Sequence, residues 1–67
     1  MIRLTRLNDE EFIINCSQIE RVETIPESNL IMVNGKHYVV KESVDEILDR
    51  VIEFHAQIYA RAQKKNV

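Results

Sequence analysis

The chain has 67 residues, with 9 Lys and Arg against 11 Asp and Glu, a formal net charge of −2, and 45% hydrophobic and 30% charged residues. That balance suits one folded soluble domain and argues against nucleic acid, whose binding relies on clustered Lys and Arg. A single cysteine, Cys16, excludes an intrachain disulfide, and one Cys with two His lacking CxxC or HxxxH spacing argues against a metal site.

Residues 2–7, "IRLTRL", read as a strand that ends at Asn8-Asp9, residue types that tolerate turn conformations. Residues 11–15 return as a second strand. A two-residue loop pairs Arg6 with Glu11 and a four-residue loop pairs Leu7 with Phe12. The longer loop places more apolar area on one face and is preferred. Either loop is a weaker hairpin signal than Asn-Gly, because Asp must adopt positive φ in the two-residue form.

Asn15 or Ser17 is placed to start one helical turn, after which residues 20–25 run extended and Pro26-Glu27-Ser28-Asn29 form a turn. Strands over 30–33 and 36–41 flank Asn34-Gly35, the strongest short-range hairpin signal. A type I′ turn there uses the only glycine for its freedom at positive φ. The implied register sets Val33 against Lys36, Met32 against His37, Ile31 against Tyr38 and Leu30 against Val39. One face then carries Ile31, Val33, Tyr38 and Val40, and the other Leu30, Met32, His37 and Val39. Both are largely apolar, so both are expected to be covered.

A helix over 43–63 follows. Ser43-Val44-Asp45-Glu46 fits the capping box, and Asp45 and Glu46 at its start with Arg61, Lys64 and Lys65 at its end suit the helix dipole. Val44, Ile47, Leu48, Val51, Ile52, Ile58, Tyr59 and Ala62 recur at spacings of three and four, with His55 on the same stripe. This is the pattern of an amphipathic helix. From Val44 to Ala62 it runs about 28 Å at 1.5 Å per residue, against about 17–20 Å for strands of five or six residues. The last two turns therefore overhang the sheet, leaving Ile58, Tyr59 and Ala62 for another subunit or protein.

Cys16, His37 and His55 could supply a nucleophile and base, but no third group orients them. Asp9, Glu10 and Glu11 crowd one loop, with too few ligands for a cation. No GxxxxGK[ST] or GxGxxG is present, so a glycine-rich nucleotide loop is excluded. Arg3, Arg6 and Arg21 along the strands support a second reading, a regulator that binds nucleic acid, but acidic residues alternate with them. The basic end "RAQKK" suits peripheral contact with acidic headgroups only as a remote option. No apolar run reaches the roughly 18 residues that span a bilayer, and the N-terminus lacks a signal-peptide core. With one free Cys the chain reads as cytoplasmic.

Taken in order, "MIRLTRLNDEEFIIN", "IERVETIPES" and "NGKHYVVKESVDEILDRVIEF" resemble the FlbD/SwrD family of small flagellar and swarming-motility proteins, over residues 1 to about 56. The most specific pieces are "I-x-L-T-R-L-N" and "NGK-x-Y-V-V-K-E-S". Family members usually have Gly where Asp9 stands, and often Pro where Cys16 stands. The resemblance implies a non-enzymatic accessory protein without cofactor, placed in the cytoplasm near the flagellar base at the inner membrane face. It also implies support of motor power through protein contacts, with stator units as the expected partner.

The expected fold is α+β: one domain over 1–67, with four or five antiparallel strands in a curled or barrel-like sheet and one long C-terminal helix. The expected contact surface joins Leu30, Met32, His37 and Val39 of the hairpin to Ile58, Tyr59 and Ala62 of the helix, and a homo-oligomer is expected. No catalytic, cofactor or metal residue is assigned.

Overall fold

Five strands, β1 (Ile2–Thr5), β2 (Glu11–Ile14), β3 (Ile19–Glu23), β4 (Ser28–Met32) and β5 (His37–Val40), precede one helix, α1 (Val44–Lys65). The computed structural model describes residues 1–65, with side chains to Ala62; the ends of the expected domain at Asn66 and Val67 lie outside the described residues. The α+β class holds. The strands form two antiparallel sheets, β1-β2 and β3-β4-β5. An isolated bridge between Arg6 and Val40 ties them, and the Lys41 N–H donates to the Thr5 carbonyl at 2.9 Å beside it. The sheets do not close into a barrel.

Both hairpins differ in register from the expectation, for one shared reason. In the first, Leu4 opposes Phe12 and Thr5 opposes Glu11, so neither Arg6–Glu11 nor Leu7–Phe12 pairs. In the second, Leu30 opposes Tyr38 and Ile31 opposes His37, one residue away from the expected pairing. Each hairpin uses a three-residue loop instead of a two- or four-residue one. The Asp9 N–H donates to the Arg6 carbonyl at 3.0 Å and the Gly35 N–H to that of Met32 at 2.9 Å. Only the last loop residue has positive φ, +71° at Asp9 and +86° at Gly35. This is a type I turn followed by a left-handed residue, the next most common hairpin loop after the two-residue forms. In both loops an asparagine side chain holds the turn: Asn8 Oδ1 accepts from the Glu10 N–H at 3.1 Å and Asn34 Oδ1 from the Lys36 N–H at 3.0 Å. Gly35 is thus a structural glycine, at positive φ in a type I turn and not in a type I′ turn.

A one-residue slip moves every side chain of a strand to the other face. Leu30, Met32, Tyr38 and Val40 share the inner face, and Asn29, Ile31, His37 and Val39 the outer one. The core gathers Ile2, Leu4 and Ile14 from the first sheet, Leu30, Met32 and Val40 from the second, and Ile47 from the helix. In β3 an irregularity between Ile19 and Arg21 turns both Ile19 and Val22 towards that core. The outer face is only partly covered, since His37 and Val39 are exposed; Ile31 alone is buried there, in the central strand between Arg21 and His37.

Shorter differences sit at element ends. Asn15 caps one 3-10 turn (Cys16–Gln18), its side chain accepting from the Ser17 N–H. β3 ends at Glu23, and β4 begins at Ser28, inside the stretch expected to turn. The capping box forms as expected: the Glu46 N–H donates to Ser43 Oγ at 3.2 Å, and the Ser43 N–H to Glu46 Oε1 at 3.4 Å.

Candidate functional site

The helix is fixed to the sheets at its start and released from them further on. Its fixed part rests on Ile47, which is buried, and on Val44, Arg50, Val51 and Phe54, which are half-buried. Beside them Glu42, 6% exposed, joins the first strand, the strand-to-helix corner and the helix. Its Oε1 accepts from the Thr5 N–H at 2.8 Å and its Oε2 from the Thr5 hydroxyl at 2.7 Å. Arg50 Nη1 donates to the same Oε2 at 3.0 Å and to the Arg3 carbonyl at 2.6 Å. Burial alone pushes the Glu42 carboxyl pKa up, but the Thr5, backbone and Arg50 hydrogen bonds outweigh it and hold the pKa below the usual carboxylate range. The residue is a clasp, with every partner supplied by the chain itself.

Beyond Phe54 every side chain from His55 to Ala62 is exposed. A 22-residue helix is about 33 Å long, and the molecule measures 46 × 24 × 19 Å. Its radius of gyration, 13.4 Å, exceeds the roughly 11 Å of a compact chain of this length. The overhang is therefore present, and it carries Ile58, Tyr59 and Ala62 as expected.

The apolar arc of the helix is wider than the sheets can cover. One row, Ile47, Val51, Phe54 and Ile58, faces the sheets. A second row, Leu48, Ile52, His55, Tyr59 and Ala62, lies about 90° around the helix at 100° per residue. Leu48 and Ile52, expected on the packed stripe, are 53% and 65% exposed, and Tyr59 is 67% exposed. The rings of His55 and Phe54 meet edge-on at 5.7 Å. The sequence pattern set both rows, without Phe54, on a single stripe. Which part of it the sheets would leave open was not visible in the spacing, because that depends on how the helix rolls on β1.

Of the seven expected contact residues, Ile58, Tyr59 and Ala62 are together on the overhang. His37 and Val39 are exposed on the outer sheet face, where the Asn29 amide nitrogen lies 3.4 Å from His37 Nδ1. Leu30 and Met32 are not with them: the register shift puts both in the core. The open apolar surface of the helix is thus the second row with Ile58, while Met1, Leu7, Ile13, Ile25 and Val33 are exposed elsewhere on the protein. The outer face of β5 is a separate, smaller patch.

The structure does not assemble the other candidates. Cys16 packs against the core, while His37 faces outward. Among the described residues no group of three or more His, Cys, Asp or Glu is placed to hold a metal. Arg6 lies over Phe12 at 4.4 Å and near Tyr38 at 5.7 Å, pinning the two sheets together by cation–π contact. Arg21 pairs with Glu20 at 3.4 Å and Glu23 at 3.2 Å. Neither is left to form a basic stripe with Arg3. Among the described residues no helix is long and apolar enough to cross a membrane.

No curated protein and no solved structure matches the chain. The family model of FlbD, flagellar and swarming motility proteins, matches residues 1–59, which span all five strands and the helix as far as Tyr59. The chain belongs to the FlbD family of flagellar and swarming motility proteins.

Proposed function

We propose that the chain is a non-enzymatic accessory protein that supports flagellar motor power by protein contact, with stator units as its partner, in the cytoplasm at the flagellar base. The family is a motility family and not an enzyme family. The observation that carries the reading is the uncovered helix row: Leu48, Ile52 and Tyr59 are each more than half exposed on one line, and Ile58 stands beside it at 48%. A contiguous apolar surface of this kind marks an interaction site. A domain this small is also only marginally stable alone, which favours association.

The test is site-specific photo-crosslinking from position 59 in motile cells, with the captured proteins identified. Stator subunits are expected, and both capture and swarming should fail with Ile58→Glu and Tyr59→Glu. Full swarming by the double variant with unchanged capture contradicts the reading.

A further inference from the structure

We infer that the uncovered row of α1 is occupied by the same row of a second copy, running antiparallel. This rests on the contact reading above: the second copy covers the row in the purified chain and gives way when the stator contact forms.

The spacing comes first. Leu48, Ile52, His55, Tyr59 and Ala62 follow one another at four, three, four and three residues. That is the alternation of a helix–helix seam; the sheet-facing row has the same spacing, but the sheets already cover its first part. All five are exposed.

The direction follows from the two flanks of the seam. At 100° per residue, Val44, Val51 and Ile58 line one flank, on the side of the sheets. Asp45, Asp49 and Ala56 line the other. Parallel helices bring opposite flanks together, which sets Val51 and Ile58 against Asp49 and Ala56. Antiparallel helices bring like flanks together. The apolar flank then meets itself, with Val51 beside the partner copy's overhanging Ile58, and the polar flank stays towards water.

Charge points the same way. The helix carries Asp45, Glu46, Asp49 and Glu53 in its first half and no carboxylate from Phe54 to Lys65, where Arg61, Lys64 and Lys65 stand. Antiparallel pairing sets the acidic half of each helix alongside the basic half of the other, a long-range attraction because Glu46, Glu53 and Arg61 lie on the side of the helix away from the seam, and it also opposes the helix dipoles. Parallel pairing stacks like on like. Seating the seam residues in layers places Leu48 across from Tyr59 and Ile52 across from His55 of the other copy.

Cysteine pairing tests this on the full chain in a Cys16→Ser background. Leu48→Cys and Tyr59→Cys proteins, mixed and oxidised, should form the mixed disulfide-linked dimer. Either protein alone should not, because in this arrangement its own cysteines lie about 16 Å apart along the axis, beyond the roughly 7 Å between Cα atoms that a disulfide tolerates. Self-linked Leu48→Cys or Tyr59→Cys means parallel pairing and overturns the inference. A dimer by light scattering with no link in any mixture places the contact elsewhere and overturns it too, while leaving self-association intact. A chain that stays monomeric, and from which position 59 captures only a stator protein in cells, overturns the inference and leaves the proposed function standing.

Discussion

The two halves of α1 share one amphipathic pattern but do different work. From Val44 to Phe54 the sheet-facing row is backed by β1 and the core, and the Glu42 clasp fixes its angle. From His55 on, the same chemistry continues without a surface beneath it. Apolar periodicity therefore says that a helix face wants covering, and the length of the sheet decides whether the chain itself can cover it. The sheet-facing row of the first half holds this fold together, and the second half is left uncovered by it.

Substitutions in the sheet-facing row of the first half should cost most. Ile47→Ala empties a fully packed site and should destabilise by about 2–5 kcal/mol in urea unfolding. Ile58→Ala, three positions further along the same row, should stay within roughly 0.5 kcal/mol in dilute solution. Comparable losses at both positions would remove the distinction between the halves.

Glu42→Gln comes next. It keeps the shape of the clasp but leaves buried donors of Thr5 and Arg50 short of acceptor charge, a loss of about 1–3 kcal/mol. The sign of its pH dependence follows from the lowered pKa. The Glu42 contribution is complete above the unfolded value near 4.5 and disappears as pH falls through the lower folded value. Between pH 6 and pH 3 the wild-type urea midpoint should therefore fall further than that of Glu42→Gln. Parallel curves would show that the clasp carries no such weight.

The smallest effect on stability belongs to Ile52→Glu and Tyr59→Glu. Both sites are exposed, so unfolding of the dilute chain should shift by no more than about 0.5 kcal/mol, with circular dichroism unchanged. Their effect should fall on association instead. Unfolding of either variant at low concentration would mean that this row supports the monomer, which sharpens the boundary between the halves to a point further along the helix.

The elements that sequence makes legible are those with local causes. Ser43 and Glu46 cap the helix through contacts three residues apart, and Asn15 caps its 3-10 turn through contacts two apart. The overhang follows from lengths alone. The hairpin registers were hidden because they turn on a single loop residue. The same Asn-centred loop forms around Asn8-Asp9 and Asn34-Gly35, with only its last residue at positive φ, so Asn-Gly serves a three-residue turn as well as a two-residue one. That one-residue difference moved Leu30 and Met32 from the expected contact surface into the core. Glu42 was hidden for a different reason. Its partner Thr5 lies 37 residues away, and nothing next to it in the chain marks it as buried.

Sedimentation of the wild-type chain beside Ile52→Glu and Tyr59→Glu across the micromolar range bears most directly on the division of the helix. The expected result is a wild-type particle of two copies and folded variants of one. A wild-type chain at monomer mass throughout, or variants that keep the wild-type mass, contradicts the assignment of the uncovered row to self-association.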